Sequence, residues 1–267
     1  MARMAGKGKA RLDRTAAKMK DDFPLRRYIP SALTILGMCS GATAIRLALT
    51  GNFKAAVIAI MFAAVCDLLD GRVARLFGVS SEFGAQLDSL SDLVSFGIAP
   101  SVLIYEWTLY QDHNAGWAIV LAFCACSAIR LARFNVESAD ANADAAPKPY
   151  FTGVPTPAAA CLIMLPMLLG FQFKDQFLSD PLTSAVLVAV IAALMVSKVP
   201  TLSLKNVRVK PQFKWLVVAG GVALAGSAIF FPWSTLTGSL VIYLITIPFV
   251  AALFSKRRMA RRAARLD

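Results

Sequence analysis

Charge is what this 267-residue chain has least of: Asp, Glu, Lys and Arg make up 16% of it, against 57% hydrophobic residues. With a mean hydropathy of +0.62, that composition excludes an ordinary soluble globular domain and falls in the range of polytopic membrane proteins. Histidine is nearly absent, and the single one, His113, reads as a bland loop residue. Five cysteines (Cys39, Cys66, Cys124, Cys126 and Cys161) all fall inside apolar segments. A disulfide framework has no loops to staple there, so they read as small buried apolar side chains. Internal repeats and low-complexity runs are also missing, apart from an enrichment in alanine.

The charge that is present is unevenly placed. The net +12 comes from 28 Lys and Arg against 16 Asp and Glu, with many of the bases in the two tails. That pattern implies orientation in a membrane and contact with anionic lipid, not nucleic-acid readout. Residues 1–27 read as a basic arm and 255–267 as a basic tail, with no cleaved signal peptide. Between them, apolar segments of spanning length run near Ile29–Thr50, Phe53–Phe77, Gln86–Tyr110, Ala115–Asn135, Val154–Phe173, Leu182–Val199, Trp215–Phe231 and Leu236–Phe254. The fold class expected is therefore an all-α polytopic bundle of about eight transmembrane helices.

An even number of spans puts both tails on one face, which the positive-inside rule makes cytoplasmic. Arg72 and Arg75, Arg130 and Arg133, and Lys205, Arg208 and Lys210 fall on that face, whereas the opposite turns hold only Lys54, His113 and Lys174. The 135–154 stretch, with Asp140, Asp144, Pro147 and Pro149, is the longest polar connection and is expected to be a loop flanking the cytoplasmic mouth. Residues 201–254 read as an added helix pair whose Gly220, Gly221 and Gly226 suit close helix packing or a dimer face.

The chain is organised around residues 66–100, CDLLDGRVARLFGVSSEFGAQLDSLSDLVSFGIAP, where four carboxylates sit between long apolar segments. Read as helix, Asp67, Asp70, Gly71 and Ala74 share about one third of the circumference, with Arg75 at its edge. After a break at 78–83, Gly84, Asp88, Ser91, Asp92 and Ser95 share one face of a second helix. Four carboxylates converging from two antiparallel helices repel strongly in a low dielectric, so they call for cations between them or partial protonation. Oxygen ligands alone favour Mg²⁺, Mn²⁺ or Ca²⁺. These residues by themselves leave open a cation transporter, with intramembrane acids binding the ion it carries.

Asp67-x2-Asp70-Gly71-x2-Ala74-Arg75-x8-Gly84-x3-Asp88-x3-Asp92 resembles the signature of the CDP-alcohol phosphatidyltransferase family. Eight fixed positions match by chance on the order of once in 10¹⁰ starting points. The resemblance implies a catalytic core over 28–200 and two divalent cations, Mg²⁺ or Mn²⁺, with Ca²⁺ compatible. It implies Asp67, Asp70, Asp88 and Asp92 as the metal cage and Asp92 as the base that takes the proton of the incoming alcohol. Thr34, Gly71, Ala74, Arg75, Ser81 and Gly84 are implied as contacts of the CDP-lipid, although Ser31 and Gly37 stand where asparagines are common in the family.

Three further stretches, Asp88–Pro100, Ile129–Asn135 and Phe151–Pro157, resemble the serine-accepting branch of that family. The activity this resemblance implies is transfer of the phosphatidyl group from CDP-diacylglycerol to the hydroxyl of L-serine, giving phosphatidylserine and CMP. The same chemistry on glycerol phosphate, inositol or choline remains an alternative. Ser95, Arg130, Arg133 and Asn135 lie at the right depth to receive serine. The resemblance also implies a multi-pass integral membrane protein with membrane lipids around it, its active site at the cytoplasmic face, no nucleic-acid partner, and a homodimer as an arrangement known among such proteins.

Overall fold

The computed structural model describes residues 25–79, 81–139, 150–173, 180–197, 200–202 and 214–263. Residues 1–24 of the basic arm, the loop bearing Lys205, Arg208 and Lys210, and Asp140 to Pro149 lie outside the described residues, as do Lys174 and the last four residues; residues 25–27 of the arm belong to the first helix. Helix α1 is Leu25–Leu49 and α2 is Phe53–Phe77. A third pass comprises α3 (Glu82–Asp92), a π-helical turn over Leu93–Ile98, and α4 (Ala99–Trp107). After a short 3-10 turn at Leu109–Asp112 come α5 (His113–Ala139), α6 (Thr156–Ile163) and α7 (Leu165–Phe173). Then α8 (Pro181–Val196), α9 (Lys214–Phe230) and α10 (Pro232–Ala263) complete the bundle. Every apolar segment read from the sequence is a helical pass.

Four of these passes are long and apolar enough to cross a membrane unaided: Tyr28–Leu49, Glu82–Trp107, Asn114–Ser138 and Thr156–Phe173. Pro181–Val196, Ala219–Phe230 and Pro232–Ile247 are apolar but shorter, and α2 carries its own acids and arginines. Large apolar side chains such as Ile58, Phe62, Val65, Trp117, Leu121, Val186, Val222 and Ile242 are exposed. So much outward apolar surface suits hydrocarbon and not water. The protein is a polytopic helical membrane protein.

The core forms where α1 lies along α2 and both pack on the third pass. Ala44 and Ala48 of α1 meet a buried set including Ala56, Ile60, Ala63, Phe96 and Leu103. Small residues let the backbones approach closely. At Gly41 the approach leaves no room for a side chain: a Cβ there would lie 2.7 Å from Ser95 Cα and 2.5 Å from Ser95 Oγ.

The helix breaks have local causes. Helix α2 stops at Gly78, whose φ of 63° is left-handed and whose N–H turns back to the last carbonyls, a conformation glycine adopts without cost. Helix α3 starts at Ser81, whose Oγ accepts from Gly84 N at 3.0 Å as an N-cap. The π turn precedes Pro100, which has no N–H to give Phe96; the ladder instead shifts, with Ala99 N donating to Val94 O. Pro166 likewise divides the fifth pass after Ile163.

Two expectations need correction. The 135–154 connection is not wholly loop: α5 continues to Ala139, and Tyr150–Thr152 forms a short strand paired antiparallel with Pro200–Leu202, Phe151 opposite Thr201. These strands give the backbone groups hydrogen-bond partners outside the helices. Gly220, Gly221 and Gly226 do not mediate packing between described helices, because a Cβ at any of them would meet nothing within 4 Å.

Candidate metal and substrate site

Helices α2 and α3 both pack on α1, and the reversal of the chain between them turns their acid-bearing faces toward each other. The left-handed stop at Gly78 and the Ser81 cap make the reversal tight. One carboxylate oxygen each from Asp67, Asp70 and Asp88 then lies within 4.8 Å of the others. Three like charges at that spacing repel unless a cation or proton intervenes. Asp92, one helical turn beyond Asp88, is not part of this close trio but still feels the charges of Asp67, Asp88 and Asp70, and that of Arg130 on α5. Among the expected cage residues, the structure therefore brings three together and sets the fourth beside them.

Helix α1 holds the trio in place. Thr34 Oγ1 is 2.7 Å from Asp70 Oδ2 and 3.0 Å from Pro30 O; with one proton to donate, the charged acceptor takes it. Ser91 Oγ donates to Thr34 O at 3.0 Å, and Ser95 Oγ to Gly37 O at 3.2 Å. The polar face of the second motif helix is thus tied to α1 through hydroxyls, while its acids face α2. The sequence marks Ser91 only as a face-sharing residue; its tie to a main-chain carbonyl carries no sequence signal.

A cleft of about 200 Å³ is lined by Thr34, Gly71, Ala74, Ser81 and Gly84, five of the expected CDP-lipid contacts, together with Asp70 and Asp88 of the trio. Pro30, Ser31, Val79 and Ala85 also line it, none of them expected from the signature. Gly71 has nothing within 4 Å of where a Cβ would stand, so its lack of a side chain leaves open space at the trio. The remaining expected contact, Arg75, is exposed and turns its Nε back to Gly71 O at 2.8 Å.

The expected serine contacts separate. Arg130 is partly buried and donates Nη1 to Thr156 Oγ1 at 2.8 Å. Arg133 Nη1 donates to Val196 O at 3.0 Å and Asn135 Oδ1 accepts from Ser89 Oγ at 3.0 Å, so both act between helices. Ser95 is 1% exposed and tied to α1. Only Arg130 faces Asp92 electrostatically. Thr156, fully buried at the start of α6, is a partner that sequence reasoning missed; its Pro-Thr-Pro setting signals helix initiation and nothing more.

An oxygen-only acid trio beside a narrow cleft, at one end of an apolar helical bundle, defines a membrane protein built to hold a charged group at its site. The profile described as CDP-alcohol phosphatidyltransferase matches residues 27–199. A CDP-diacylglycerol–serine O-phosphatidyltransferase of Mycobacterium leprae is 35% identical over 234 residues, covering 88% of this chain and 77% of the relative. One of Bacillus subtilis is 35% identical over 173 residues, 64% of this chain and 88% of the relative. A solved structure of Mycobacterium tuberculosis phosphatidylinositol phosphate synthase, in complex with manganese and citrate, aligns with a TM-score of 0.45 and 22% identity over 68% of this chain and 83% of that one. The chain belongs to the CDP-alcohol phosphatidyltransferase family. It is a membrane-embedded phosphatidyltransferase, which sets aside the cation-transporter alternative.

Proposed function

We propose that the protein transfers the phosphatidyl group of CDP-diacylglycerol to L-serine, releasing CMP, with its site at the cytoplasmic face. The observation that carries the acceptor is the similarity, over 88% of the chain, to relatives named as serine transferases. The Asp67–Asp70–Asp88 trio supports the chemistry.

The trio fits hard divalent cations, because its donors are carboxylate oxygens only and lie close enough to share an ion. Asp67, Asp70 and Asp88 would hold them, with Asp92 adjacent, and Mg²⁺ or Mn²⁺ are the ions proposed, two in number. When bound, they neutralise the pyrophosphate charge and favour departure of CMP. Thr34 fixes the carboxylate plane of Asp70 through its 2.7 Å bond, the kind of outer support that metal ligands require.

The cleft bounded by Gly71, Ala74, Ser81 and Gly84 receives the CDP moiety, where the absence of bulk at the glycines lets phosphates approach backbone. Asp92 takes the proton from the serine hydroxyl as its oxygen bonds to the lipid-side phosphorus, and the bond from that phosphorus to the CMP oxygen breaks. Positioning supplies much of the rate, since both reactants are held at one membrane depth.

The test is CMP release by the purified chain from CDP-diacylglycerol, offered serine, glycerol phosphate, inositol or choline in turn. Release with serine only is the expected result, lost on chelation and restored by Mn²⁺ or Mg²⁺. Release with a different alcohol only would retain the family chemistry and overturn the acceptor.

A further inference from the structure

Three buried polar residues are joined by hydrogen bonds across the three helices that make the site. Thr34 of α1, Asp70 of α2 and Ser91 of α3 are each 6% exposed. Thr34 Oγ1 donates to Asp70 Oδ2 at 2.7 Å, and the Thr34 carbonyl accepts from Ser91 Oγ at 3.0 Å. One α1 residue thus meets both acid-bearing helices, α2 through its side chain and α3 through its main chain. Both helices pack on α1. Gly37, about one turn further along α1, keeps the approach close: a Cβ there would stand 3.3 Å from Cys66 Cβ and 3.9 Å from Ser91 Oγ.

A carboxylate on a helix can turn about both of its side-chain torsions, and each rotamer shows an ion a different pair of oxygens. The short, charge-assisted bond from Thr34 removes that freedom from Asp70. Thr34 is in turn held, because Ser91 grips its carbonyl from the facing helix. The same bond settles what Thr34 can offer a substrate. Its side chain lines the cleft with Asp70 and Asp88, and the family resemblance implies it as a CDP-lipid contact. A hydroxyl has one proton, however, and with that proton on Asp70 only its lone pairs remain for the cleft.

We propose that Thr34 is a positioning residue of the metal site, holding Asp70 ready for the ion, and that Ser91 acts through it by fixing the Thr34 main chain. The inference rests on the reading of the trio as a divalent-cation site and deepens it. Its test is direct Mn²⁺ binding to the full chain in detergent without CDP-lipid, followed by electron paramagnetic resonance. The chains compared are wild type, Thr34→Val, Thr34→Ser, Ser91→Ala and the Thr34→Val, Ser91→Ala double variant. Thr34→Val keeps the shape but loses the hydroxyl, and should weaken Mn²⁺ binding by about 10- to 100-fold, as loss of a metal ligand's outer partner does. Thr34→Ser restores the hydroxyl and should bind Mn²⁺ nearly as wild type does. Ser91→Ala should weaken binding by about 2- to 10-fold, the effect of one neutral hydrogen bond. It should cost nothing further in Thr34→Val, since the two residues act in series. Undiminished Mn²⁺ affinity in Thr34→Val, with only the KM for CDP-diacylglycerol raised, would overturn the proposal and make Thr34 a nucleotide contact alone. Losses that add in the double variant would overturn the part given to Ser91. A wild type that binds no Mn²⁺, or an Asp67→Asn variant that binds it as tightly as wild type, would instead overturn the metal reading and this proposal with it.

Discussion

Asp67, Asp70, Asp88 and Asp92 are the same residue type within 26 positions of chain, yet their surroundings divide them. Asp70 is buried and held by Thr34, so its orientation is set before any ligand arrives. Asp67 and Asp88 complete the close trio, and Asp92 stands outside it. That division predicts different losses. Asp92→Asn removes the proposed proton acceptor and should lower turnover by about 10²- to 10⁴-fold while CDP-lipid binding is largely retained. Asp67→Asn removes a carboxylate of the proposed metal site and should weaken Mn²⁺ binding as well as turnover. Titrating activity against Mn²⁺ for both variants separates them: wild-type rates from Asp92→Asn would exclude it as base.

Among the elements, α1 meets the π turn that follows Asp92 at close range. Gly41 lies against the backbone of Ser95, three residues after Asp92 and inside the turn at Leu93–Ile98. The close approach also permits the Ser95-to-Gly37 and Ser91-to-Thr34 bonds. A methyl group at position 41 has no room, because the nearest atoms include main chain and not the end of a flexible side chain. Gly41→Ala should therefore destabilise the bundle by about 1–3 kcal/mol, as overpacked cores do. The checks are a lower midpoint of thermal unfolding in detergent and a lower turnover in the cold, where the protein is still folded. A variant with wild-type stability and turnover would mean that α1 and the third pass slide freely.

At the scale of the whole molecule, polar groups collect at one end of the bundle. There the acid trio, Asn135 with Ser89, and Arg133 with the end of α8 come together. Lys54, by contrast, lies over the Phe171 ring with its nitrogen 5.6 Å from the centroid, at the start of α2, the opposite end from Arg72 and Arg75. Under the proposed orientation, the positive-inside rule sets the end with Arg72 and Arg75 in the cytoplasm. A cysteine-free background with single cysteines at the two tails and at Asn52 should show both tails labelled from the cytoplasmic side and position 52 from the other. Labelling of the two tails from opposite sides would mean an odd number of crossings.

The sequence by itself determined the class and the chemistry of the site. Hydropathy marks each helical pass because a bilayer demands apolar length and internally paired backbone. The acids are legible because carboxylates are rare in such segments and recur here at helical spacing. Helix ends at Gly78, Ser81 and Pro155 are equally legible, being local steric and capping effects. The tertiary structure decided which acids meet and that Ser95, Arg133 and Asn135 join helices together. Those facts depend on how helices far apart in the chain are set against one another. Spacing along a helix fixes which residues share a face, but packing alone chooses what that face meets.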